Sequence, residues 1–278
     1  MQQFKRFLDF YINSSIHVAL AVCSLSWITL IEFNLAFDKN LILFTFFATI
    51  SGYNFIKYFG LAKFHHRRLA TWLKYIQVFS LLCFVPLVYF TFQLEQKTLI
   101  YLAILGLVTF FYAIPFLPKK IFIEGDANLR AISGLKIYVI AIVWAFVTVV
   151  VPLINGNQEI SNDAIITSIQ RFLYVMVAML PFEIRDMNFD SLKLGTIPQR
   201  IGIRRTKLIG FLLLIPFFFL EYLKDVVQSE SIIVLLIVLV LLTIVLMISN
   251  YKQSKYFSGF WVEGVPLIWL LFALLIFK

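Results

Sequence analysis

Charge is what this sequence has least of. Asp, Glu, Lys and Arg make up 14% of its 278 residues, against about 25% in an ordinary soluble domain. So little polar surface cannot cover a soluble fold of this length. Disorder is excluded too, because 61% of the residues are hydrophobic and disordered chains are poor in such residues. Cysteine is limited to Cys23 and Cys83. Both lie inside apolar runs, make no metal-ligand spacing and frame no disulfide network, so they read as small buried hydrophobes. No polar stretch is long enough for a soluble domain, and residues 1–278 read as a single integral membrane domain. What charge there is leans positive, with a net +9, and mean hydropathy is +0.91. In a membrane protein an excess of Lys and Arg marks loops held in the cytoplasm. The basic balance therefore points to the bilayer and not to nucleic acid.

A helix needs about 20 mostly apolar residues to cross the hydrocarbon core. Nine runs answer to this, over approximately 15–33, 41–59, 75–92, 98–116, 135–154, 164–182, 208–223, 231–249 and 262–277. The segment before them, 1–14, places Phe4, Phe7, Phe10 and Tyr11 on other helical faces than Lys5, Arg6 and Asp9, which suits a short helix lying in the membrane interface. The first run follows Lys5 and Arg6 as a signal peptide would, but it is long and has no convincing cleavage site, so it reads as a retained helix.

The connecting charges test the count. Lys63, Arg67, Arg68 and Lys74 follow the second run with no acid. Lys119, Lys120, Arg130 and Lys136 outnumber Glu124 and Asp126 after the fourth. Arg185, Lys193, Arg200, Arg204, Arg205 and Lys207 outnumber Glu183, Asp186 and Asp190 after the sixth, and Lys252 and Lys255 precede Glu263 after the eighth. The intervening loops are neutral or acidic. This alternation predicts an all-α bundle of nine membrane helices with the N-terminus in the cytoplasm and the C-terminus outside.

Chemistry concentrates after the sixth run. Glu183, Asp186 and Asp190 stand at i, i+3 and i+7, within about 60° of one another on a helix face. Three carboxylates on one face repel unless a cation lies between them, and hard oxygen ligands suit Mg²⁺, which bridges one or two carboxylates to substrate phosphates. The competing reading is a solvated helix end whose acids pair with Arg185 and Lys193. On the second run Asn54 and Lys57 share a helix face, and Lys63, Arg67, Arg68, His65 and His66 follow. They read either as cytoplasm-facing positive charge, some of it snorkelling, or as a phosphate-binding patch.

The stretch Glu183-Ile-Arg-Asp186-Met-Asn-Phe-Asp190, followed by Gly195-Thr196-Ile-Pro198 and Ile201-Gly202, resembles the second acidic motif of the UbiA-type intramembrane prenyltransferases. Phe111-Tyr112-Ala-Ile-Pro115 with Lys119 and Lys120 resembles that family's segment after its fourth helix, and Gly134 to Trp144 its fifth helix. The resemblance implies a UbiA-like nine-helix bundle with a central cavity on the cytoplasmic side, in a bacterial inner membrane. It also implies an isoprenyl diphosphate held by Mg²⁺, whose departure leaves an allylic cation for an aromatic or other acceptor. It assigns Glu183, Asp186 and Asp190 to the metal; with it, Asn54, Lys57, Lys63, Arg67, Lys119, Lys120, Arg185 and Lys193 are the candidates for the diphosphate, Lys57, Lys63 and Arg67 by their charge beside Asn54. Tyr58 and Tyr112 are assigned to the cavity wall.

The chain departs from the family at its first acidic motif. The register that fits retains Asn54 but has Tyr58 and Ala62 where acids belong. One metal site is therefore expected where the family has two, with Lys57 as the candidate substitute for the missing charge. Prenyl transfer and isoprenoid-diphosphate binding without turnover are both compatible with this pattern. A transporter fits less well. The chain shows no paired broken hydrophobic segments, and few ionisable residues lie inside its runs, chiefly His17, Glu32, Lys57 and Arg171.

Overall fold

The structure, a computed structural model, describes residues 2–64, 71–113, 135–187 and 195–277, with side chains for 3–58, 72–111, 135–187 and 195–277. Among the described residues there is no strand. The helices are α1 (Gln2–Asn13), α2 (Ile16–Glu32), α3 (Lys39–Phe64), α4 (Thr71–Thr91), α5 (Gln96–Ala113) and α6 (Leu135–Ala145). A π-helical turn, Phe146–Val150, joins α6 to α7 (Val151–Asn155). Then come α8 (Asn162–Asp186), α9 (Ile197–Phe219) with a 3₁₀ turn at Leu220–Leu223, α10 (Ser229–Ile248), a second π-helical segment Phe257–Val262, and α11 (Val265–Ile276).

The described parts of the nine apolar runs lie on these helices. By length and composition six stretches qualify as membrane spans: Trp72–Thr91, Leu135–Asn155, Asn162–Asp186, Ile197–Leu223, Ser229–Ile248 and Phe257–Ile276. The pair α1–α2, bent by 53°, makes a seventh if taken as one span. The protein is thus an all-α polytopic membrane protein. Of the two remaining runs, α3 carries Asn54 and Lys57 within its 26 residues, and the described apolar part of α5, Gln96–Phe111, is short.

The main core is formed by α2, α6, α8, α9, α10 and α11, where Leu25, Ile137, Tyr174, Val177, Leu180, Phe217, Val238, Leu242 and Trp269 are buried together. Gly210 on α9 lets α8 and α10 close in: a Cβ there would stand 2.9 Å from a Leu180 methyl and 2.8 Å from one of Leu246. Small residues play this part between membrane helices because lipid supplies no hydrophobic drive for association and close packing must. By contrast α4 and α5 show Leu81, Leu82, Val85, Tyr89, Ile104 and Leu107 outward, as helices bathed in lipid would.

Polar joints fix where the helices bend. Ser15 adopts a left-handed φ of 63° between α1 and α2. The residue four beyond Thr148 is Pro152, which has no N–H to give, and the Thr148 carbonyl accepts from the Thr29 hydroxyl of α2 at 2.7 Å, so this acceptor is satisfied inside the bundle. Helix α8 starts at Ser161, whose side chain accepts from the Ala164 amide at 3.2 Å, an N-cap that stops the chain from unwinding there.

Candidate functional site

Four elements meet at one end of the bundle: the α1–α2 bend, the C-terminal half of α3, the last turn of α8 and the π segment leading into α11. Hydrogen bonds between side chains and backbone weld them. Asn54 spends its whole amide on this joint. Its Nδ2 donates to the Ser14 carbonyl at 2.9 Å and to Ser80 Oγ at 2.8 Å, while its Oδ1 accepts from Ser15 Oγ at 2.8 Å. One turn on, Lys57 and Tyr58 both donate to the Asn13 carbonyl, at 3.2 and 2.8 Å. The exposed end carbonyl of α1, left without an intrahelical partner, is thereby taken up by α3.

The last turn of α8 faces this joint. Glu183 is buried at 3% exposure. Arg185 holds Asp186 through Nε and Nη2, both 2.8 Å from Asp186 Oδ1. Its Nη1 donates to Ser258 Oγ at 2.8 Å, and its guanidinium lies 5.3 Å from the centre of the Phe182 ring. Gln253 Nε2 donates to the Pro181 carbonyl at 2.6 Å. The end of α8 is therefore clamped to the segment that enters α11.

That segment is itself anchored to the first helices. The Phe260 carbonyl accepts from His17 Nε2 at 2.8 Å, and the two rings stack at 4.9 Å. A carbonyl only accepts, so Nε2 carries the hydrogen, and Nδ1 of the neutral ring takes the Tyr11 hydroxyl at 2.8 Å. Gly264 ends the joint: a Cβ there would lie 2.7 Å from the Phe260 carbonyl oxygen, so only glycine fits. Further out, Lys255 and Tyr256 both bond Asp9 Oδ1. The Lys255 hydrogen bond holds the Asp9 carboxyl below its ordinary range, and Asp9 in turn raises Lys255.

Glu263 sits where these elements converge. It shares an electrostatic neighbourhood with Lys57 of α3, Arg185 of α8 and Tyr11 of α1. The sequence reading had counted Glu263 only as a loop acid. Its signal was there to find, as the one acid in the apolar stretch from Tyr256 to Phe277.

The structure thus brings Glu183, Asp186, Arg185, Asn54, Lys57 and Tyr58 to one end of the bundle and adds Tyr11, His17, Ser258 and Glu263. Lys63 and Tyr112 lie on α3 and α5, with side chains outside the described set. Asp190, Arg67, Lys119, Lys120 and Lys193 fall outside the described residues. Among the described residues, no group of three or more His, Cys, Asp or Glu side chains is placed to hold a metal ion. Glu183 and Asp186 offer two hard oxygen donors one turn apart on α8, which is the number and kind that Mg²⁺ uses when phosphates and waters complete its shell.

A second charged group lies toward the opposite end. Arg171, 1% exposed, donates Nη1 to the Leu25 carbonyl at 2.9 Å and stacks 4.8 Å from the centre of the Trp269 ring. Glu32 lies in the field of Arg171, Lys224 and Glu221. Glu221 pairs with Lys224 at 2.7 Å and accepts from Gln170 at 3.1 Å.

No family model matches the chain, and no curated protein matches it in sequence. Its fold does match solved structures over nearly the whole length. A UbiA homologue from Aeropyrum pernix K1, in its apo form, superposes with a TM-score of 0.63 at 12% identity, covering 93% of this chain and 97% of that one. A UbiA homologue from Archaeoglobus fulgidus bound to DMAPP and Mg²⁺ gives 0.55 at 10% identity, covering 96% and 95%. A digeranylgeranylglyceryl phosphate synthase gives 0.58 at 16% identity, covering 100% and 99%. The chain therefore has the UbiA-type intramembrane prenyltransferase fold.

Proposed function

We propose that the protein binds an isoprenyl diphosphate at the inner end of the bundle and transfers its prenyl group to an acceptor dissolved in the bilayer. The observation that carries this reading is the convergence of Glu183, Asp186 and Arg185 on α8 with Lys57 on α3, in a fold whose solved examples include one bound to DMAPP and Mg²⁺. Charge alternation along the sequence supports nine spans with this end in the cytoplasm.

Each residue has a distinct task in this reading. Glu183 and Asp186, with Asp190, would hold a single Mg²⁺, which when bound neutralises the diphosphate and favours its departure. Arg185 fixes the orientation of Asp186 through two contacts to one oxygen. Lys57 spends one N–H on Asn13 and keeps the others for a phosphate oxygen. Asn54, already saturated, positions α3 and does not reach a ligand without giving up the joint. Lys63, Arg67, Lys119, Lys120 and Lys193 belong by sequence to the same basic rim, and Tyr112 to the cavity wall.

One observation favours a second reading. Tyr58 stands where an acid of the first motif belongs, and its hydroxyl is committed to Asn13. A site that keeps one of the two acidic motifs is consistent with binding without turnover. One experiment addresses both. Geranyl diphosphate is added to the purified protein in nanodiscs, with and without Mg²⁺, and both binding and diphosphate release are measured. Mg²⁺-dependent binding that falls at least tenfold in the pair Glu183→Gln and Asp186→Asn is expected, and release of diphosphate separates transfer from binding. Absence of binding under every condition overturns the proposal.

A further inference from the structure

We propose that Ser258, on the π-helical segment that leads into α11, is a positioning residue for the metal. By holding one nitrogen of Arg185 it keeps the guanidinium from closing on both oxygens of Asp186, and so leaves one carboxylate oxygen free for a divalent cation. The proposal rests on the diphosphate reading above. It adds a residue 73 positions beyond Arg185, outside the acidic motif.

The contact between Arg185 and Asp186 has an uncommon form. Arg185 Nε donates to Asp186 Oδ1 at 2.8 Å, and Nη2 lies 2.8 Å from the same oxygen. Asp186 Oδ2 makes no hydrogen bond among the described residues. A guanidinium and a carboxylate favour a bidentate contact, with two parallel N–H···O bonds to two oxygens. A modest turn of the fork would reach that arrangement from here, and both oxygens of Asp186 would then be occupied. The third nitrogen opposes the turn, because Nη1 donates to Ser258 Oγ at 2.8 Å. The guanidinium is planar and rigid, so a group pinned at Ser258 and at Oδ1 cannot rotate in its plane without breaking a bond.

Ser258 is a firm anchor. It is fully buried, and its carbonyl accepts from the Glu263 amide, five residues on, at 3.2 Å. Such π-helical turns appear frequently at functional sites. The segment is held from other sides as well. His17 Nε2 donates to the Phe260 carbonyl at 2.8 Å. Gly259 stands against α1, where a Cβ would lie 3.3 Å from Ile12 Cγ2. Gln253 Nε2 ties the approach to α8 through the Pro181 carbonyl at 2.6 Å. Helices α1, α2 and α8 therefore set the oxygen that Arg185 uses, and the direction of the fork follows from it. Mg²⁺ demands near-ideal octahedral geometry and takes only one or two carboxylates beside phosphates and waters. An Asp186 closed on by Arg185 would have to be prised open before serving it. With Ser258 in place, Arg185 takes one oxygen and aims the other.

The test reads metal affinity, not turnover. Geranyl diphosphate binding to the full chain in nanodiscs is measured as Mg²⁺ is titrated. Ser258→Cys changes the size of the side chain little and replaces a good acceptor by a weak one, and Ser258→Ala removes the acceptor. In both, the Mg²⁺ concentration for half-maximal binding should rise about tenfold, the lower end of what losing a partner behind a metal ligand costs. Binding at saturating Mg²⁺ should remain that of wild type, which a merely structural loss would not allow. In an Arg185→Met background Ser258→Cys should produce no shift, because no guanidinium is left to close. If either Ser258 variant, folded, titrates within threefold of wild type, the role of Ser258 is refuted while the diphosphate reading stands. The same holds if only the amount bound at saturation falls, or if the shift persists without Arg185. If wild type binds no geranyl diphosphate at any Mg²⁺ concentration, the diphosphate reading fails and this proposal falls with it.

Discussion

Ser15 and Asn54, 39 residues apart, share a buried 2.8 Å hydrogen bond across the α1–α2 bend. The bend needs it. Ser15 takes a left-handed backbone that a non-glycine residue adopts only at a cost, and Asn54 collects the polar groups the bend leaves behind.

Replacing Asn54 by Ala removes three hydrogen bonds at once. Interhelical side-chain bonds in membranes are worth about 0.6 kcal/mol on average and up to about 1.7, so Asn54→Ala should cost about 2 kcal/mol. Asn54→Asp keeps an acceptor for Ser15 but loses both donors and places a carboxylate beside the Ser14 carbonyl. It should therefore be the less stable of the two. Thermal unfolding in one detergent ranks them, and Asn54→Asp at wild-type stability would show that the knot is not structural.

Arg171 is a buried cation whose charge acts on Glu32 at the other end of the bundle. Arg171→Met should be destabilising, by about 1.5–3 kcal/mol, because it loses the charge-assisted hydrogen bond to the Leu25 carbonyl, besides the contact with the Trp269 ring, and removes the positive charge that acts on Glu32. Glu32→Gln in the Arg171→Met background should restore part of the loss, whereas Glu32→Gln alone should be milder. A double-mutant cycle reads the coupling, and simple additivity would mean that the two residues do not interact.

The Asp9 contact gives a pH dependence with a definite sign. Lys255 depresses the Asp9 carboxyl below its ordinary value of 3.8. A carboxyl depressed in the folded state contributes stability that is fully present above the ordinary carboxylate range, and it is lost as pH falls through the depressed value. The pair is largely solvent-exposed, so its worth is under about 1 kcal/mol. Wild type should therefore lose slightly more thermal stability than Asp9→Asn between pH 6 and pH 3. High salt should shrink the difference.

Run length and charge let the sequence alone establish the class of this protein. Apolar stretches of membrane-crossing length cannot be placed otherwise, and their described parts are helical, six or seven of them long and apolar enough to span. The acids of α8 were legible for the same reason, since helical spacing puts Glu183 and Asp186 on one face whatever surrounds them. What no local pattern contains is which helices are neighbours. Asn54, expected at the diphosphate, was taken instead by Ser14, Ser15 and Ser80, because a buried amide goes to the nearest unsatisfied groups, and only the tertiary structure decides which those are. Glu263 shows the same limit from the other side. It lies 206 residues from Lys57 in sequence, and nothing in the apolar run around it says what it faces. The π-helical joint and the packing of α11 against α2 decided that this residue shares one end of the bundle with Lys57 and Arg185.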